Sequence, residues 1–370
     1  MIAELVSLED PTLVQTHNPC FDEVSYGTEV LVFQSPVLHS QLLKAVAEFQ
    51  SGTVKGKGES DFTNGDQEKI SERLRKAMKG LGTDEKVIIE ALSSHTNTQL
   101  QTVKSTYKTL YGRDLEEDLR SELSGHFESL CIYRLTPSTE FDAKCLRKAM
   151  KGIGTKEVTL IEILCSHNNS EIKNIKEDYR KVYERDLEED IKEETSGDFQ
   201  RILVSLLQGN RDENQTVDQK EVEEDVKELK QAGTKLMFGT DESVFNKILA
   251  KRSLSHLKAV FEAYRSDEQK DIETVVADEM SGNLSTAFLA VVRFIKDPLE
   301  YFASCFHETM CGPGTEDERL MQLVVAHCEV DLKDIADKYM ELYKKGLALA
   351  IEEDTYGDYR KLLLRLSGKD

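Results

Sequence analysis

A Gly-Thr dipeptide occurs at 82–83, 154–155, 239–240 and 314–315, and the segments around the four copies align with almost no adjustment. The threonines are 72, 85 and 75 residues apart. Position 24 after each threonine is a tyrosine (Tyr107, Tyr179, Tyr264, Tyr339), and position 42 is a glycine (Gly125, Gly197, Gly282, Gly357). Position 39 is always acidic (Glu122, Glu194, Glu279, Asp354), and position 17 is a large aliphatic (Leu100, Ile172, Leu257, Leu332). Self-similarity at a fixed period restricts the chain to a few architectures, in which one supersecondary unit is stacked several times.

The unit is helical. Apolar residues recur at positions 5, 8 and 9 after each threonine (Ile88, Ala91, Leu92; Leu160, Ile163, Leu164; Phe245, Ile248, Leu249; Leu320, Leu323, Val324), which is the i, i+3, i+4 stripe of an amphipathic helix. A second stripe falls at positions 32 and 36 (Leu115 and Leu119, Leu187 and Ile191, Ile272 and Val276, Leu347 and Ile351). Further apolar helical stretches precede the glycines (ISERLRKAM) and follow position 42 (FQRILVSLL), so the expectation is an all-α fold of four five-helix repeats. With 32% charged residues, 7% aromatics, no tryptophan and a mean hydropathy of −0.46, the composition suits a helix-rich chain better than a β-sandwich.

The expected boundaries are a head at 1–61, repeats at 62–132 and 133–207, a polar linker at 208–224, and repeats at 225–294 and 295–370. Two halves, 62–207 and 225–370, follow from the linker. In the head, the segment 36–49 reads as an amphipathic helix with Leu38, Leu42, Ala45, Val46 and Phe49 on one side, suited to the protein's own core, a partner or a membrane surface.

The net charge of −21 opposes direct binding to nucleic acid or anionic lipid, so a polyanionic partner requires a metal intermediary. Seven cysteines, without C-x-x-C or zinc-ligand spacing, point to reduced thiols and a cytoplasmic setting. Neither an export signal nor a run of eighteen apolar residues is recognisable.

The glycine-rich loops carry the chemistry. Ca²⁺ takes roughly six to eight oxygens, main-chain carbonyls included, if the chain turns sharply enough to bring them together. Three loops read Met78-Lys79-Gly80-Leu81-Gly82-Thr83, Met150-Lys151-Gly152-Ile153-Gly154-Thr155 and Met310-Cys311-Gly312-Pro313-Gly314-Thr315. Carbonyls of Met78, Gly80 and Gly82, and of their counterparts, are the candidate ligands, and the acid at position 39 supplies the missing carboxylate. Open coordination positions would take water in solution and phosphate oxygens at a bilayer, so lipid and calcium would bind cooperatively. The bland alternative is a tight helix–helix turn with a threonine N-cap. Four loops each matched to an acid at one distance argue against it. The tips Leu81, Ile153, Phe238 and Pro313 are apolar, as shallow insertion among headgroups requires.

The pattern M-K-G-x-G-T, followed by an acid in S-E-L-S-G, E-E-T-S-G, D-E-M-S-G or E-D-T-Y-G, resembles the annexins, as do the identical hexapeptides at 113–118 and 185–190. The resemblance covers about residues 62–370 and, with the long head, suits an invertebrate-type member. It implies a slightly curved disk, reversible calcium-dependent binding to acidic phospholipid such as phosphatidylserine, no enzymatic activity, and a head that selects a protein partner. It also implies self-association on membranes and a cytoplasmic protein that becomes peripheral to membranes when calcium rises. Carried over, the calcium ligands fall on Met78, Gly80, Gly82 and Glu122; on Met150, Gly152, Gly154 and Glu194; and on Met310, Gly312, Gly314 and Asp354. In the third repeat the loop is one residue longer than is usual in the family, and Gly239 and Glu279 are the safest members. Calcium affinity without lipid should lie in the roughly 10⁻⁴–10⁻³ M range.

The family usually has arginine at position 12, where this chain has His95, His167, Arg252 and His327. A histidine at a helix C-terminus is favoured as a cation, which suggests that mild acidification strengthens contacts there. No EF-hand loop, P-loop, H-E-x-x-H or G-x-S-x-G motif is present. The rival reading is a calcium-independent helical-repeat scaffold for protein partners.

Overall fold

The computed structural model describes residues 62–80, 82–152, 154–233 and 241–368. The head, its segment 36–49, Cys20, the tips Leu81, Ile153 and Phe238, and Gly239 lie outside the described residues. Among the described residues there are twenty α-helices and no strand, five to a repeat. Repeat one comprises α1 (Asn64–Ala77), α2 (Glu85–Ser93), α3 (Asn97–Tyr111), α4 (Leu115–Glu122) and α5 (Gly125–Leu135). Repeat two comprises α6 (Ser138–Met150), α7 (Glu157–Ser166), α8 (Asn169–Tyr183), α9 (Leu187–Glu194) and α10 (Gly197–Leu207). Repeat three comprises α11 (Gln219–Gly233), α12 (Glu242–Lys251), α13 (Leu254–Glu268), α14 (Ile272–Glu279) and α15 (Gly282–Lys296). Repeat four comprises α16 (Pro298–Met310), α17 (Asp317–His327), α18 (Leu332–Tyr343), α19 (Leu347–Asp354) and α20 (Gly357–Leu366). No described helix is long and apolar enough to cross a membrane, and the six described cysteines are free thiols.

The periodic apolar positions form the core. Every residue of the two stripes is buried except Ile163, which is half-buried, and all four position-24 tyrosines are buried. Helix ends follow local chemistry. Thr96 and Asn168 close capping boxes on α3 and α8, and the carboxylates of Asp114, Asp186 and Asp271 accept main-chain N–H bonds at the starts of α4, α9 and α14. Each third helix ends in a left-handed residue: Gly112 in repeat one, but Glu184, Gln269 and Lys344 in the others. The position-42 glycines have φ between 59° and 67° and open the fifth helix. The main chain runs extended for two residues after each acid and can re-enter a helix at once only through a residue that tolerates positive φ.

The linear halves are not the packing pairs. Repeat one packs on repeat four through α2 against α20 and α5 against α17, while repeat two packs on repeat three through α7 against α15 and α10 against α12. The apolar second and fifth helices are thus shared reciprocally between partners. The segment 209–218 is irregular, and α11 begins at Gln219, inside the expected linker. It is held by bonds to both neighbours: Asn169 Nδ2 donates to the Arg211 carbonyl (2.8 Å), and Asp212 N donates to the Lys251 carbonyl (2.7 Å). A buried ion pair between Glu162 of α7 and Arg319 of α17 (2.5 Å) ties repeat two to repeat four.

Candidate metal-binding loops

Each loop joins the first and second helix of its repeat and is closed by one main-chain bond. Asp84 N donates to the Ala77 carbonyl (2.9 Å), Lys156 N to that of Ala149 (2.9 Å), and Glu316 N to that of Thr309 (2.8 Å). In the third repeat the equivalent bond runs from Asp241 N to the Ala232 carbonyl (3.3 Å) and encloses 233–240, two residues more than the loops 78–83, 150–155 and 310–315. At one end of the loop, Met78 and Met150 bury their side chains in the core, and Met310 is half-buried. Beyond them the described loop residues are exposed as far as the threonines, which are half-buried. Gly80, Gly152 and Gly312 have φ of 120°, 122° and 128°, and Gly82, Gly154 and Gly314 have 86°, 83° and 92°. A Cβ at any of the six would meet no atom within 4 Å, so glycine is required by conformation and not by space.

The acid predicted from position 39 is brought to the loop. Glu122, Glu194 and Asp354 are the last residues of α4, α9 and α19. Thr83 Oγ1 donates to Glu122 Oε2 (3.2 Å), Thr155 Oγ1 to the Glu194 carbonyl (3.2 Å), and Thr315 Oγ1 to the Asp354 carbonyl (3.0 Å). The threonine therefore fastens the end of the loop to the end of the fourth helix across 39 residues of sequence. Glu279 ends α14 in the same way and is exposed.

These residues fit a hard cation. The loops offer main-chain oxygens on glycines whose dihedrals other residues resist, with the acid-bearing end of the fourth helix tethered beside them, an oxygen-only donor set. Among the described residues no three His, Cys, Asp or Glu side chains gather into a metal-binding cluster.

A buried network sets the fourth helix in repeats one and two. The Asp118 carboxylate accepts from Tyr107 Oη (2.6 Å), Arg113 Nε (2.8 Å) and Arg75 Nη1 (3.2 Å), joining α4 to α3 and α1. Asp190 accepts from Arg185 Nε (2.7 Å), Arg147 Nη1 (2.7 Å) and Tyr179 Oη. The Arg113 hydrogen bond, working against burial, holds Asp118 below the usual carboxylate range; burial would push Asp190 up, but Arg185 and Tyr179 outweigh it and hold Asp190 low as well. Each network lies one turn before the candidate ligand, Glu122 or Glu194. The sequence reading missed it, although the repeated hexapeptide carries the signal: its first arginine and last aspartate bond to each other. Repeats three and four have Val275 and Ala350 at the aspartate position and no such network there.

The position-12 residues sit in different surroundings from repeat to repeat. Arg252 pairs with Asp225 of α11 through Nε (2.7 Å) and Nη2 (2.9 Å), and His167 takes the same place with Nε2 3.1 Å from Asp142 of α6 and Nδ1 on the Ile163 carbonyl (2.7 Å). Burial alone would lower the His167 pKa, but the Asp142 charge and hydrogen bond and the Ile163 carbonyl outweigh it and raise the value to about 9. His167 is therefore already a cation at neutral pH, and mild acidification has nothing to add there. His95 bonds to the Ala91 carbonyl (2.8 Å), and His327 to Asp331 (2.6 Å) with its ring 4.1 Å from that of Phe302.

The annexin family model matches residues 70–133, 141–206, 224–291 and 301–366, one match within each set of five helices. Mouse annexin A13 is 48% identical over 301 residues, covering 81% of this chain and 95% of the relative. The solved structure of annexin III superposes with a TM-score of 0.81 at 40% identity, covering 84% of this chain and 95% of that one. That of calcium-bound annexin (Sm)1 superposes with a TM-score of 0.75 at 32% identity, covering 85% and 92%. With four family matches laid over four copies of one helical unit, and one glycine-loop geometry in repeats one, two and four, the chain belongs to the annexin family.

Proposed function

We propose that this protein binds acidic phospholipid membranes reversibly and in a calcium-dependent manner, with Ca²⁺ bridging its loops to lipid phosphate. The observation that carries the reading is the threonine tether, which joins the glycine loop to the acid that ends the fourth helix in three repeats, through the carboxylate in repeat one and through the main-chain carbonyl in repeats two and four. The residues that would hold the ion are the carbonyls of Met78, Gly80 and Gly82 with Glu122; of Met150, Gly152 and Gly154 with Glu194; and of Met310, Gly312 and Gly314 with Asp354. In repeat three the set would include Gly239 and Glu279. Bound Ca²⁺ supplies positive charge that the chain, at −21, lacks, and leaves coordination positions for phosphate oxygens. A calcium-bound structure among the chain's solved relatives supports this choice of ion. The protein would be peripheral to membranes when calcium rises, with residues 1–61 as the candidate segment for a protein partner and with self-association on the lipid surface.

The test is co-sedimentation with phosphatidylserine vesicles across a calcium titration, with chelator reversal, beside the triple variant Glu122→Gln, Glu194→Gln, Asp354→Asn. Pelleting that requires calcium, reverses with chelator and is lost in the variant is the expected result. No pelleting at millimolar calcium would refute the reading and favour a helical-repeat scaffold for proteins.

A further inference from the structure

Tyr356 is 76% exposed, the most exposed large apolar side chain among the described residues, and none of the other ten described tyrosines is exposed. It follows the candidate ligand Asp354 by two residues and stands at the N-cap of α20. The other three repeats have Ser124, Ser196 and Ser281 at this place. None of these serines makes a side-chain cap bond, so a tyrosine gives up no capping interaction and is not explained by the local fold. The loops show the reverse substitution. Repeats one to three carry Leu81, Ile153 and Phe238 at the tip, whereas repeat four carries Pro313, the smallest apolar group of the four. Pro313 is exposed, and the bond from Thr315 Oγ1 to the Asp354 carbonyl (3.0 Å) fixes the Tyr356 segment beside its loop.

We infer that Tyr356 is a lipid-contacting anchor of repeat four, placing its ring at the headgroup–acyl boundary and its hydroxyl among the headgroups when the adjacent loop is bridged to the bilayer. This rests on the membrane reading above. A tyrosine suits that depth because one end is apolar and the other wet, and in water such an exposed ring has no partner. It restores to repeat four the apolar contact that a proline tip reduces, and binding at an interface grows with the apolar area buried there.

The chain has no tryptophan, so Tyr356→Trp creates a single fluorescent reporter at the site. With phosphatidylserine vesicles and calcium, its emission should shift to the blue and be quenched by lipids brominated near the headgroup end of the acyl chain, and chelator should reverse both changes. Tyr356→Ser, the residue of the other repeats, should weaken vesicle affinity roughly five- to tenfold at fixed calcium. Its calcium binding without lipid and its circular dichroism should be unchanged. If the wild-type chain pellets with calcium but the Trp emission stays solvent-like, or Tyr356→Ser binds as tightly as wild type, the anchor is refuted and the membrane reading stands. If the wild-type chain does not pellet, the membrane reading falls and the anchor with it.

Discussion

Replacing Asp190 by asparagine tests whether the buried network holds the fourth helix where its terminal acid can serve the loop. Asp190 is 1% exposed and accepts bonds from Tyr179, Arg185 and Arg147. Hydrogen bonds to a charged group contribute about 1.5–3 kcal/mol each, and removing one partner of a buried pair costs about 3–5 kcal/mol. Two features reduce that figure. The side chains of Arg147 and Arg185 are 29% and 43% exposed and can return to water, and the amide oxygen of asparagine still accepts one bond. A loss of about 2–4 kcal/mol is therefore expected in urea unfolding at pH 7. Because Asp190 titrates below the ordinary range, its contribution is present above about pH 4, the unfolded value, and fades as pH falls through the lower folded value; the gap between wild type and variant should close in acid. Glu194 lies one turn further along α9, so the variant should also weaken calcium binding at repeat two while leaving repeat four unaffected. A loss under about 0.5 kcal/mol, or calcium binding unchanged at repeat two, would refute the positioning role.

The His167–Asp142 pair gives a second pH signature with the opposite sign. With a folded value of about 9 against 6.5, its contribution, at most about 3 kcal/mol, is complete below pH 6.5, shrinks from there to pH 9 and is gone above it. Urea unfolding of wild type and His167→Gln between pH 6 and 10 should show the two stabilities converge as pH rises. The left-handed cap of α8 is glutamate where repeat one has glycine, and Glu184→Gly should raise stability by about 0.5–1 kcal/mol, read as a higher urea midpoint at unchanged slope. At the loops, the triple acid variant should lose calcium-dependent pelleting with phosphatidylserine vesicles while keeping its helical circular dichroism, since the acids at positions 122 and 194 are exposed and that at 354 only half-buried.

The repeat, the helical class, the core positions and, in repeats one, two and four, the pairing of the glycine loop with an acid were all legible in the sequence. These features are periodic, and periodicity survives projection onto one dimension: an apolar stripe faces the core wherever the helix lies, and a glycine kept at one place in every copy marks a turn that other residues resist. Which repeats pack together was not legible, because the linker at 208–224 divides the chain between repeats two and three, and these are the very pair that pack through α7, α10, α12 and α15. Chain order fixes neighbours in sequence, whereas helix packing is settled by complementary apolar surfaces on the second and fifth helices. Nor could the sequence assign charge states. His167 and Arg252 occupy one place in two repeats, and only the tertiary structure, by setting Asp142 and Asp225 against them, decides that the histidine behaves like the arginine. The hexapeptide at 185–190 was visible, but its meaning depended on Arg147 and Tyr179 arriving from two other helices. A carboxylate with three donors around it exists only once the chain has folded.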